Sequence, residues 1–192
     1  MDGAAPDLQG TTIEAFNRFV DDDASGARFE LIDGEIVMMT NPTEAHEQLA
    51  ANLGAPLKLA MDPRGCRTYL GGMRVQAGDD ASARDKYIPD IVVRCGPRDD
   101  KRTYIVDPVV VVEVLSPSTM DNDRGPKLKF YKLRASLRHI VLVYSDQMRV
   151  EHYARSADVW RFESLTKPTE TLSLDGVGFA MTLKALYFDL AL

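Results

Sequence analysis

The run Val109-Val110-Val111-Val112-Glu113-Val114-Leu115 constrains the fold more than any other stretch, because it sets one carboxylate in an otherwise apolar, largely β-branched segment. Such a run reads as a strand covered on both faces. An unpaired ionised carboxylate in that position costs on the order of several kcal/mol or more. Glu113 therefore needs a cation, a hydrogen-bond donor or a raised pKa, and the identity of its partners becomes the functional question.

The chain has 192 residues, 45% hydrophobic and 27% charged, which suits one domain with a well-buried core over residues 1–192, residues 1–27 forming a helical extension at its start. The opening Met-Asp-Gly-Ala-Ala-Pro carries no basic segment followed by an apolar one. No run of about 18 apolar residues occurs, so the expectation is a cytoplasmic protein without a membrane span. Cys66 and Cys95 lack the spacing of a zinc site or a disulfide framework and read as two buried thiols in a reducing compartment. A formal net charge of -6 argues against a protein that coats nucleic acid nonspecifically, while leaving room for a local basic surface.

Along the chain, Thr12 to Val20 has the spacing of a short amphipathic helix, with Ile13, Phe16 and Val20 on one stripe and the acidic run Asp21 to Asp23 ending it. Phe29 to Met39 reads as two strands about an Asp33-Gly34 turn, which would bring Glu30 and Glu35 together. Asn41 can cap a helix that begins at Pro42, with Glu44 completing a capping-box-like arrangement. That helix carries His46 inward with Leu49, Leu53 and Leu57, and Gly54 and Pro56 are positions for a kink. Strands follow at Cys66 to Leu70, Met73 to Ala77, Ile88 to Cys95 and the valine run. Then come a helix from Asp123 to Ala135, a hairpin of Ile140 to Tyr144 with Arg149 to Tyr153, and a strand at Val159 to Phe162. This order predicts an α/β (α+β mixed) fold, a central mixed β-sheet flanked by helices.

If the strands after Asp90 and up to Leu115 pair antiparallel about their loop, a symmetric register sets Asp90 opposite Glu113. Two carboxylates about 4 Å apart repel by about 4 kcal/mol at an effective dielectric of about 20, so a cation or a proton must lie between them. Mg²⁺ or Mn²⁺, with hard oxygen ligands, fits that demand. A one-residue slip would instead separate the two side chains, with Asp90 capping a loop and Glu113 pairing with a single Lys or Arg. Downstream, Asp123, Lys127 and Tyr131 are spaced i, i+4, i+8 on one helical stripe, from which Lys127 can reach back toward the carboxylates. Arg124, Lys127, Lys129, Lys132, Arg134 and Arg138 occur with no acidic residue between the first and the last, giving either a solvated basic face or a nucleic-acid surface. His46, from the residues alone, reads as a hydrogen-bonded core histidine before it reads as a ligand.

Asp90 after a proline and Glu113 in an apolar strand resemble the motifs of the PD-(D/E)XK nuclease superfamily. The lysine that superfamily commonly carries two positions after the glutamate is Leu115 here. The wider pattern is more specific: Phe29-Glu30-Leu31-Ile32-Asp33-Gly34-Glu35, Pro42 with His46, Pro89-Asp90, and Glu113-Val114-Leu115-Ser116-Pro117-Ser118-Thr119 with Asp123, Lys127 and Tyr131. Together these resemble the Uma family of putative restriction endonucleases, from about residue 28 to the carboxyl end. Many members of that family have a Gly-Val segment followed by Glu-Tyr-Trp where this chain has Ser136-Leu137-Arg138-His139-Ile140-Val141. The resemblance implies a restriction-endonuclease-like fold whose catalytic lysine has moved to the following helix, at Lys127.

With the resemblance added, the expected activity is Mg²⁺- or Mn²⁺-dependent hydrolysis of DNA phosphodiester bonds. Asp90, Glu113 and the main-chain carbonyl of Val114 would hold the metal, and Lys127 would orient water or stabilise charge. Glu30, Glu35, His46, Asp123 and Tyr131 would support them, and Arg124, Lys129, Lys132 and Arg134 would meet the DNA. Two strands need two sites, which implies a homodimer. The alternatives are a nuclease-fold module that binds nucleic acid or a protein without cutting, and a metal-dependent enzyme acting on RNA or a small phosphoester.

Overall fold

The hydroxyl of Thr12 accepts from the amide of Ala15 and so starts α1 (Ile13–Asp22), which extends two residues past Val20 into the acidic run. The computed structural model describes residues 10–116 and 120–191; residues 1–9 of the expected extension and Pro117, Ser118 and Thr119 of the glutamate motif lie outside them. Next, β1 (Phe29–Ile32) and β2 (Glu35–Met38) form the expected hairpin. Asp33 (φ 48°) and Gly34 (φ 82°) supply the two positive φ angles that a two-residue turn of this hand requires. The register sets Glu30 opposite Val37 and Glu35 opposite Ile32, so the two glutamates share one face as diagonal neighbours, Glu30 buried and Glu35 exposed.

The cap of α2 (Glu44–Met61) is Thr43, whose hydroxyl accepts from the His46 amide, so the helix begins two residues after the expected Pro42 and needs nothing from Asn41. It continues through Pro56 and lays Leu49, Leu53, Leu57 and Met61 on the sheet. Gly54 lets it approach β3 (Cys66–Leu70) closely, because a Cβ there would lie 2.0 Å from Leu70 Cδ2.

Short strands β4 (Arg74–Gln76) and β5 (Lys86–Tyr87) precede β6 (Ile91–Cys95); β7 (Tyr104–Ile105) sits in the loop before β8 (Val110–Leu115), the valine strand. A helical crossover then runs through α3 (Met120–Asn122), a π-helical turn (Asp123–Lys127) and α4 (Leu128–Lys132) to β9 (His139–Tyr144). The expected single helix from Asp123 to Ala135 is thus interrupted by a π turn, since Pro126 has no N–H for an α-helical bond and its ring does not fit beside the carbonyl four residues earlier. The chain closes with β10 (Val150–Ser156), β11 (Val159–Leu165), a hairpin of β12 (Thr171–Leu174) and β13 (Phe179–Thr182), and α5 (Leu183–Leu186).

The main sheet has the order β11-β10-β9-β8-β6-β3, and β8 is antiparallel to β6 but parallel to β9. A second sheet has the order β2-β1-β5-β4-β7. Alternation along β8 divides the core. Val110, Val112 and Val114 pack toward α2, while Val111 and Leu115 pack with Tyr131 of α4 and with Val75, Tyr87 and Ile105 of the second sheet. The β8 run is therefore buried throughout because the sheet is covered on both faces.

Cys66 and Cys95 are directly opposed in the β3/β6 ladder, 4.0 Å apart at Cα, and are joined as a disulfide. This corrects the expectation of two separate thiols; their pairing follows from strand register and has no local spacing signature. Among the described residues no helix is long and apolar enough to cross a membrane.

Candidate active site

The β6/β8 register pairs Ile91 with Val112, Val92 with Val111 and Val93 with Val110, so the ladder ends one position short of Asp90 and Glu113, which the same register extended would set across from one another. Asp90 follows the end of the ladder and turns into the gap beside β8. Its Oδ2 accepts from the Val114 amide at 2.7 Å and lies 3.2 Å from His46 Nε2. In an extended strand the N–H and C=O of one residue point to the same edge. The Val114 carbonyl therefore faces the same gap as the amide that Asp90 accepts from.

Glu113 points to the opposite side of that gap, toward the crossover. Tyr131 donates to its Oε1 at 2.7 Å, and Lys127 Nζ lies 3.6 Å away. The same ammonium is 2.9 Å from Glu30 Oε2 and 2.9 Å from Asp123 Oδ1. Glu30 is held in turn by the Ile88 amide at 2.7 Å. Lys127 thus reaches the strand carboxylate from the following helix, and it is buried rather than part of a solvated basic face.

Three buried carboxylates around one ammonium leave an excess of negative charge, and the acid-base behaviour follows from it. Burial raises Glu113 well above its ordinary value, Lys127 offsetting only part of this while Asp123, Asp90 and Glu30 add to it. Glu30 is also raised by burial despite Lys127. Burial alone would lower Lys127, yet attraction to Glu113, Glu30 and Asp123 holds it well above the usual lysine range. Tyr131 is raised by burial and by Glu113, so it stays a hydrogen-bond donor. Burial would lower His46, but its contact with Asp90 raises it.

These groups line a cleft of about 510 Å³ that includes Glu30, His46, Asp90, Glu113, Asp123 and Lys127. Glu35 is not among its walls. Among the described residues no three His, Cys, Asp or Glu side chains form a ready-made metal cage. Among the oxygen donors on this wall are the carboxylates of Asp90 and Glu113 and the main-chain carbonyl of Val114, the ligand type that a hard cation would take.

The remaining basic residues of the crossover each have their own surroundings. Arg124 is 3.2 Å from Glu151, Lys132 stands 4.1 Å over the Tyr153 ring, and Arg134 stands 4.4 Å over Phe130. Lys129 is exposed. Glu151 was missed by sequence reasoning, because Val150-Glu151-His152-Tyr153 carries a buried carboxylate in a strand that is polar and only partly covered, without the apolar run that marks Glu113.

Fold and cleft define a nuclease-fold α/β protein, and comparison with known proteins agrees. The chain belongs to the Uma2 family, described as “Putative restriction endonuclease”, which matches residues 13–184. Among its relatives are the uncharacterized proteins slr1290 and sll1609 of Synechocystis sp.. The first is 28% identical over 85% of each chain, and the second 29% identical over 67% of this chain and 73% of its own. Its fold is shared with a crystal structure from Anabaena variabilis, described as a putative nuclease belonging to DUF820. That likeness has a TM-score of 0.73 at 18% identity and covers 92% of this chain and 97% of the other.

Proposed function

We propose that the chain is a metal-dependent endonuclease that hydrolyses DNA phosphodiester bonds, with Asp90, Glu113 and Lys127 as its catalytic residues. The observation that carries this reading is the buried Lys127 ammonium 3.6 Å from Glu113, in a cleft that also holds Asp90 and more carboxylates than cations.

Asp90, Glu113 and the Val114 carbonyl would hold Mg²⁺ or Mn²⁺, whose chemistry there is to polarise the phosphate and acidify a bound water. Lys127 donates to the attacking water or to the phosphate oxygens on which charge grows. Glu30 and Asp123 hold the ammonium in place, Tyr131 fixes the Glu113 carboxylate, and His46 with the Val114 amide fixes that of Asp90. Arg124, Lys129, Lys132 and Arg134 supply cations for the DNA backbone. Cutting both strands calls for two such sites, and hence for a homodimer.

Asp90→Ala, Glu113→Ala and Lys127→Ala should each abolish cleavage of a mixed panel of linear, supercoiled and single-stranded DNA with Mn²⁺. Circular dichroism should show the fold retained. Calorimetric titration with Mg²⁺ or Mn²⁺ should give binding that Asp90→Ala weakens. The absence of any binding at millimolar metal would favour a non-cutting module instead.

A further inference from the structure

Glu113 has a counterpart that the cleft does not use. Glu113 pairs with Leu142, and Leu142 pairs with Glu151, so the two glutamates stand in one row of the sheet with a single strand between them. Strands lie about 4.8 Å apart, which separates the two backbones by about 10 Å. Both side chains face the crossover, and each accepts a tyrosine hydroxyl, Tyr131 on Glu113 and Tyr144 on Glu151.

Where Glu113 meets a buried lysine, Glu151 meets two arginines. Its Oε1 accepts from Arg149 at 2.7 Å, from Tyr144 at 3.0 Å and from Arg124 at 3.2 Å. Glu151 itself is fully buried, while the Arg124 and Arg149 side chains are 45% and 34% exposed. Arg149 is further braced 4.9 Å over the Tyr144 ring. Among the described residues, Arg149 Nε is buried without a hydrogen-bond partner, as is Glu151 Oε2. Two guanidinium groups on one carboxylate leave a net positive charge, with donors still facing solvent. Arg124 is also the neighbour of Asp123 on the π turn, so the same turn presents one residue to the cleft and the next to this pair.

We propose that Arg124 and Arg149, gripped by Glu151 and Tyr144, form a second phosphate-binding point for the nucleic-acid strand, beside the one cut at Glu113. The proposal rests on reading the cleft as a phosphodiester site. Glu151 is a positioning residue: it aligns two planar forks that match the oxygens of a phosphate, so less ordering is needed when the strand arrives.

The test is the affinity of a fluorescein-labelled mixed-sequence duplex, with Ca²⁺ in place of Mg²⁺, measured over a salt series. Arg124→Ala and Arg149→Ala should each weaken binding about tenfold and reduce the slope of log affinity against log salt by about one, as loss of one phosphate contact does. Lys58→Ala, on the exposed side of α2 and paired with Asp62, should leave the slope unchanged. Arg149→Lys keeps the charge without the fork and should lower affinity at nearly constant slope. If the wild-type protein binds and cuts, an unchanged slope and affinity in Arg149→Ala overturns this proposal alone. A wild-type protein that binds no duplex at low salt overturns the nuclease reading and this site with it.

Discussion

Burial holds the Glu113 carboxyl well above its ordinary value, and Lys127 offsets only part of this because Glu30 and Asp123 share the same ammonium. Its ionised form therefore costs stability in the absence of a second cation. Glu113→Gln keeps the shape and the acceptor for Tyr131 while removing one of the competing charges. Without divalent metal it should stabilise by roughly 1 kcal/mol and raise Tm by about 2 to 4 °C. A fall in Tm of that size by calorimetry would show that Lys127 fully compensates the charge. Lys86 offers a second check. Burial, with Arg74 nearby, lowers it from 10.5 to about 8. Between those values the unfolded chain binds more protons than the native protein, so stability contributed by this group rises with pH. Lys86→Met should lack that rise in urea unfolding at pH 7.5 and 10, and parallel curves for the two proteins would contradict it. At this scale the lone carboxylate in an apolar strand pointed to Glu113, while Glu30 was named through its hairpin and the family resemblance. Glu35 shares a face with Glu30 across the hairpin yet stays exposed and outside the cleft walls, a difference that residue spacing does not carry.

The element that carries Lys127 departs from the regular helix its spacing predicts. The stripe Asp123, Lys127, Tyr131 does converge on Glu113, but through a π turn around Pro126. Such turns recur at functional sites, where one extra residue re-aims a side chain. Pro126→Ala restores the missing N–H and should let the turn relax to α-helix, rotating Lys127 away from the strand. Cleavage should fall at least about tenfold while thermal stability holds or rises; full activity in this variant would separate the π turn from function. Sequence spacing could not reveal the π turn, since i, i+4, i+8 reads the same until a proline is given its steric consequence. The disulfide was hidden for a related reason: cysteines 29 positions apart become neighbours only through the β3/β6 register. Replacing both with alanine should cost about 3 to 4 kcal/mol of unfolding free energy on the chain-entropy account, measured by denaturant titration. Thiol alkylation of the unreduced, unfolded protein should label neither cysteine.

At the scale of the molecule, the cleft exists because two sheets meet at the ends of β6 and β8. The main sheet contributes Glu113 and places Asp90 at its edge, the second sheet contributes Glu30, α2 contributes His46 and the crossover contributes Lys127. The larger strands and helices of this plan were legible from period and punctuation. The two-residue strands β5 and β7 have no period to read, and they matter because β5 pairs β1 and β4 in the sheet that carries Glu30. The hairpin of β12 and β13 was likewise unforeseen, its burial arising only from contact with the main sheet and α2. The central claim, that this cleft cuts phosphodiesters through Glu113, is tested most directly by incubating supercoiled plasmid with Mn²⁺ and either the wild-type protein or Glu113→Ala. The account predicts nicked and linear DNA from the wild type, none after chelation with EDTA, and none from the variant; cleavage by Glu113→Ala at the wild-type rate would contradict it.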